Sequence, residues 1–414
     1  MRLARAGGLA PVHLTYCTNV HPGESWPDVQ AALRGPVRDV KRMVGSTGAF
    51  GVGLRLAAEA CDHLLVGLAQ APAAELVAVL AELGMYVFTL NGFPYGAFHG
   101  VRVKENVYRP DWIEEERVRY TGALARVLAA VLPAGQTGSI STVPGCFRPR
   151  GEIPRARAVI AHNLVRAVAD LVGIDRAQDR RIVLALEPEP HALLETSQEA
   201  VAFFERDIWN AESVAWLAAE LRVDRPNAER LLRQHLGVCL DACHASVEFE
   251  RPLAALRRLR QAGIAVPKLQ ISAGLRIARA DPEILAHLGA FAEDTYLHQV
   301  VVRSPSLEGA LGKLDRFVDL PDAFARASDL PAGAEWRVHF HVPVFETSLG
   351  PFSSTGDELG ELLREAAPDE LPEHLEVETY TFGVLPERYR RLSLPDALAR
   401  ELAWTRQQLG AAAP

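Results

Sequence analysis

Eight short strand-like runs, separated by segments of helical period, constrain this 414-residue chain more than any other feature. They read LTYCTN (14–19), FGVGLRL (50–56), YVFTLNGF (86–93), SISTVPG (139–145), RIVLALEPEP (181–190), GVCLDACH (237–244), PKLQIS (267–272) and LEVETYTF (375–382). Between them lie stretches such as PAAELVAVLAELG and EERVRYTGALARVLAAVLP, whose apolar residues return every three to four positions. Strands alternating with helices build right-handed βαβ units and a parallel sheet. Eight such units are solved most economically by a closed (β/α)8 TIM barrel. A doubly wound open sheet is the alternative, but no GxGxxG follows the first strand.

On this reading residues 1–414 form one barrel domain. Roughly a hundred residues separate the seventh run from the eighth, far more than one helix needs. The interval, about 276–372, is an insertion. Within it TYLHQVVVR (295–303) and WRVHFHVPVF (336–345) alternate like strands and form a pair at the barrel mouth, and 390–410 makes a closing helix.

Composition narrows the function. Hydrophobic residues make up 49% and charged residues 23%, the balance of a chain with a packed core rather than a disordered one. No apolar run has membrane-spanning length and the N-terminus lacks a signal-peptide core, so a cytoplasmic protein without membrane insertion is expected. The five cysteines are odd in number, scattered and without a CxxC pair, which argues for reduced thiols that pack. A formal net charge of −8 weighs against a nucleic-acid partner and leaves a small metabolite as the expected one. Oligomeric state is not written in the sequence.

The chemistry sits at the strand ends. In LGVCLDACHA (236–245), Gly237, Cys239 and Asp241 share one strand face and Val238 and Leu240 the other, with His244 following. The same alternation turns Glu187 inward on the fifth strand and Lys268, Gln270 and Ser272 on the seventh. On the eighth it turns Glu376, Glu378 and Tyr380 inward. In a barrel these ends converge on the C-terminal mouth. Glu187, Asp241 and Glu378 would then crowd three negative charges, which a divalent cation resolves. Carboxylates suit Mg²⁺ or Mn²⁺, and an added imidazole suits Zn²⁺ or Mn²⁺. The bland alternative is that each carboxylate caps a turn or pairs with a surface Arg.

GVCLDACHA resembles the sixth-strand motif of the xylose-isomerase-like TIM-barrel superfamily, which holds sugar isomerases and epimerases and the zinc-dependent endonuclease IV type. LEP and ETYTF are similar to its metal-binding Glu strands. More narrowly, NGFPYGAFHG, HFHVPVF and VETYTFGVLP resemble the bacterial metabolite-traffic family EboE, linked to export of prenylated precursors. The resemblance implies metal contacts from Glu187, Asp241 and Glu378, with Gln270 standing where the superfamily has His. It also implies that His244 bonds a substrate oxygen and that Arg276 or Lys268 orients the substrate.

Two further motifs stand beside that set. His339 and His341 share a strand face, where two imidazoles can hold a metal (His341) or substrate (His339), or simply bond within the core. Asn91 and His99, in the loop after the third strand, face substrate or hold the turn. The leading expectation is a metal-dependent isomerase or epimerase of a sugar-like metabolite, with Glu187 and Glu378 as acid and base. A non-catalytic metabolite carrier and an endonuclease-IV-like phosphodiesterase are the alternatives.

Overall fold

The computed structural model describes residues 1–414 except 6–7, 47, 67–72, 306–311 and 411–414, so most of the terminal LGAAAP stretch lies outside the described residues. Eight barrel strands are labelled here in chain order: β1 Val12–Tyr16, β2 Phe50–Arg55, β3 Met85–Asn91, β4 Gly138–Thr142, β5 Ile182–Leu186, β6 Leu236–Asp241, β7 Ala265–Ile271 and β8 His374–Val377. Each coincides with one of the eight runs read from the sequence. All pair in parallel, in the order β1-β8-β7-β6-β5-β4-β3-β2.

The two ends of that order meet. Cys17 bridges Gly53 in parallel, and the Thr15 hydroxyl donates to the Gly51 carbonyl (2.7 Å) and accepts from the Gly53 N–H (3.0 Å). A threonine side chain thus supplies part of the seam that backbone pairing leaves open. The sheet is a closed TIM barrel.

The interior is filled in layers, as such barrels require. At the floor, Phe88 lies between the rings of His13 and His374, with centroids 5.0 and 4.9 Å away. Above them Lys268 pairs with Glu376 at 2.5 Å, both fully buried. The top layer, at the C-terminal ends of the strands, holds the polar site. Helices such as Glu115–Val131 and Ala156–Gln178 cover the outside, and Leu394–Gln408 closes the wall.

Between β7 and β8 the chain builds a second, antiparallel sheet. Its strand order is Leu314–Phe317, Val300–Arg303, Glu335–Val338, Leu275–Ile277, Phe352–Ser354, Ser348–Leu349. The two strands expected at 295–303 and 336–345 do pair, Val300 opposite Val338. Both are shorter than the alternation implied. Before Val300, the Glu293 carboxylate accepts from the N–H of Thr295 and Tyr296, and Asp319 accepts from His298 N–H, so side chains take the bonds a strand would need. After Val338 the chain turns inward, with His339 N–H on the Gln299 carbonyl and Val342 N–H on that of Ala273. The helix Gly356–Glu365 returns the chain to the barrel wall before β8. No described helix is long and apolar enough to cross a membrane.

Candidate functional site

The barrel mouth opens into a pocket lined by barrel, β3-loop and insertion residues. Its floor is polar, with Glu187, Glu189, His244, His339, Glu378 and Asn91 among the lining residues. Strand geometry delivers most of them. Glu187 follows β5 directly, its N–H on the Thr142 carbonyl, and Glu378 extends β8 by one residue through the Ile271 carbonyl.

Asp241 ends β6 and starts the helix Ala242–Val247. Its Oδ1 caps that helix, accepting from His244 N–H (2.8 Å) and from the Ser272 hydroxyl (2.7 Å). Its Oδ2 is buried without a hydrogen-bond donor, as is Oε2 of Glu187. Glu187, Asp241 and Glu378 each offer an oxygen within 4.8 Å of the other two. Burial and then the charge of Asp241 push Glu187 up to about 8, and burial with Glu187 and Asp241 pushes Glu378 well above its usual value. One Glu378 oxygen nonetheless accepts two amide donors, from Asn19 (2.7 Å) and Asn91 (2.8 Å), which hold the carboxyl in place. A divalent cation among the three would offset the repulsion that Asp241 exerts on Glu187 and Glu378.

A second set of donors adjoins the first. His339 Nε2 lies 3.0 Å from His244 Nε2 and 3.1 Å from His341 Nε2. Each ring donates its Nδ1–H to an oxygen: His244 to Pro188, His341 to the Glu378 carbonyl, His339 to Gln299 Oε1 at 2.7 Å. Gln299 cannot be turned round, because its Nε2 faces the Pro190 carbonyl, which only accepts. Burial lowers all three imidazole pKa values, that of His244 to about 4. The rings are therefore neutral and their Nε2 lone pairs confront one another. Tetrahedral Zn–N bonds of about 2.0–2.1 Å would set two such nitrogens about 3.3 Å apart, close to the His339–His244 and His339–His341 separations. Asp241, His244 and His341 also offer ligand atoms within 4.8 Å of one another, so Asp241 belongs to both sets.

Not every residue singled out in the sequence reaches this place. Arg276 lies in the second sheet, bonded to Ser353 and Asp357 and outside the pocket lining. Lys268 sits one layer below the site. Burial opposes its charge, yet Glu376 beside it holds the ammonium's pKa above its usual value, so it is spent on an internal ion pair. His99 stands behind the pocket wall, donating to the Asn19 carbonyl and accepting from the Tyr296 hydroxyl. Gln270 pairs in register with Asp241 on one side and Glu376 on the other, and neither end of its buried amide has a hydrogen-bond partner.

The sequence reasoning passed over three others. Glu189, two residues after Glu187 and on the same face, is raised to about 8 by burial and lies 3.4 Å from His339 Nδ1. The EPEP repeat was its signal. Asn19 and Gln299 had none of comparable strength; Tyr380, which alternation turned inward, does line the pocket. The five cysteines are buried and free, consistent with packing.

No protein-family model and no curated protein matches the chain. Among solved structures it is similar to 3-keto-D-glucoside 4-epimerase YcjR from E. coli, 14% identical over 96% of this chain and 99% of that one, TM-score 0.42. It is also similar to the probable 3-DHS dehydratase AsbF from Bacillus anthracis, 10% identical over 94% and 97%, TM-score 0.41. The zinc-bound IolI protein is 11% identical over 96% and 98%, TM-score 0.42.

Proposed function

We propose that the chain is a metal-dependent enzyme that moves a proton on a small, oxygen-rich metabolite, as isomerases and epimerases do. The observation that carries this reading is the pair Glu187 and Glu378, both lining one pocket, with an Asp241 oxygen within 4.8 Å of an oxygen of each. A divalent cation held by Glu187, Asp241 and Glu378, with the unpartnered Gln270 amide as a weaker fourth ligand, would polarise a bound carbonyl and hydroxyl. The two glutamates then exchange a proton at the neighbouring carbon, one as base and one as acid. The three segments that resemble the EboE metabolite-traffic family, 91–100, 339–345 and 377–386, all contribute to this pocket. A carrier that binds such a metabolite without turning it over uses the same contacts.

The test is solvent isotope exchange. Metal-loaded protein is incubated in D₂O with a panel of ketoses and inososes, and deuterium at the carbon beside the carbonyl is read by NMR. Exchange that disappears in Glu187→Gln and Glu378→Gln with metal content unchanged supports the acid–base roles. Full exchange in either variant removes that role from the residue changed. Metabolite-dependent stabilisation with no exchange at all gives the lead to the carrier.

A second reading rests on the imidazole set. Two cations sharing Asp241 would form a dinuclear centre of the kind that hydrolyses phosphoesters. Two equivalents of bound metal together with phosphate release, and no isotope exchange, would favour it.

A further inference from the structure

The pocket has two unlike halves. Opposite the ionisable floor, the loop after β3 and residues 296–297 of the insertion present Phe93, Pro94, Phe98, Val103, Val107 and Leu297. The rings of Phe98, Tyr296 and Tyr380 form a triangle above them, with centroids 5.1, 5.4 and 5.1 Å apart. Of the polar groups that enter this half, the Tyr380 hydroxyl lies 3.4 Å from His339 Nε2, and two others are committed elsewhere. Tyr296 gives its hydroxyl to His99. Lys104 gives its ammonium to the carbonyls of Glu293 and Tyr296 and to Asp319, at 2.7–2.8 Å. Among the described lining residues no lysine or arginine charge is left to meet a phosphate.

We infer that the ligand is amphipathic: an oxygen-rich head that meets the floor, joined to an uncharged apolar substituent, aryl or short alkyl, that fills the wall. The inference rests on the metal-dependent reading of the floor and deepens it. Hydroxyls placed against Phe93, Pro94, Phe98, Val103, Val107 and Leu297 would lose water to side chains that offer no hydrogen bond, so a fully hydroxylated sugar suits only half of the pocket. A single aromatic platform suits the flat face of a sugar, but here apolar side chains close in from several sides. Apolar substituents gain by leaving water, about fourfold in affinity for each buried methylene.

Hydroxamates test this, since their head chelates a divalent metal and mimics an enediolate. Titration calorimetry on the Mn²⁺-loaded chain compares acetohydroxamate with hexanohydroxamate, which adds four methylenes, and metal content is assayed afterwards. The expected result is at least tenfold tighter binding of the longer probe. Val107, half-buried in the wall, is changed to serine, and Phe98 to alanine. Each variant should keep acetohydroxamate affinity within about twofold and lose at least threefold of the chain-length gain. If both probes bind the wild type equally, or the gain survives both substitutions, the apolar subsite is refuted while the metal floor stands. If neither probe binds, the metal centre fails and the inference fails with it.

Discussion

Asp241 uses its two oxygens for different purposes. Oδ1 is consumed by the helix cap and the Ser272 hydroxyl, which fixes the carboxyl plane, and Oδ2 is left bare toward the cluster, 3.9 Å from His244 Nε2. Gln299 does the corresponding work for an imidazole. By accepting from His339 Nδ1 it fixes the tautomer that leaves Nε2 free, the outer-shell partnership seen around metal-bound histidines. Gln299→Leu should therefore weaken metal binding at the imidazole set by about 10–100-fold, a range typical of lost outer-shell partners. The carboxylate set should be little changed. Competition titration with a metal-sensitive dye resolves the two, and identical binding curves for variant and wild type would show that the tautomer is not held by Gln299. Strand alternation made Asp241, Glu187 and Glu378 legible, because each sits at or just past a strand end. It said nothing of Arg276, offered by the resemblance, or of His99, offered from the β3 loop to face substrate or hold the turn, whose positions depend on where the insertion and that loop fold back. Lys268 points inward as alternation implies, but depth along a strand decides whether an inward residue meets ligand or core.

At the scale of elements, all eight barrel strands were legible because each is apolar, short and bounded by turn residues. The second sheet was legible only as two strands, since its remaining strands are two to four residues long and carry no period. Barrel closure was expected from the eight units, but the seam that makes it was not legible. It depends on Gly53, where an added Cβ would lie 1.8 Å from Glu376 Oε1 and 2.9 Å from the Tyr16 carbonyl. Gly53→Ala should destabilise the fold by about 1–3 kcal/mol or more, the usual cost of overpacking a core. Denaturant unfolding would show it, and an unchanged midpoint would mean that the seam has slack. The closing helix carries another buried test. Glu401 accepts from the Thr379 hydroxyl (2.6 Å) and Val344 N–H (3.1 Å), beside two site loops, and burial raises it to about 7. Its folded value exceeds the unfolded one near 4.3, so its contribution to stability is full below that pH and is lost as pH rises toward 7. Glu401→Gln removes this dependence. Its melting temperature should gain on the wild type between pH 5 and 7.5, and a constant difference across that range would contradict the assignment.

The whole molecule is acidic, with a formal net charge of −8, and the insertion and the β3 loop contribute to the wall of its pocket. Duplex DNA should bind without measurable affinity at 0.15 M salt, and a salt-dependent slope of several phosphate contacts would reverse that expectation. The more telling property is that the site is assembled from parts far apart in the chain. Glu187, Asp241, His244 and Glu378 belong to the barrel, whereas His339 and His341 arrive with the insertion. A cation bound among them ties the two sheets together, so metal should stabilise the molecule as a unit. At a free concentration 100 times Kd, one site adds about 2.7 kcal/mol. With an unfolding entropy of about 2.1 cal/mol/K per residue, that raises the Tm of a chain this long by about 3 °C. Hydrogen exchange should locate the gain: the amides of His339 and Val342, bonded to Gln299 and Ala273, should gain more protection on metal loading than those of β1 and β2. Asp241→Asn, which weakens both ligand sets, should remove the Tm shift and the added protection together. If chelator leaves Tm and exchange at 339–342 unchanged in a protein shown to have carried metal, the ion lies elsewhere and the insertion is not part of its site.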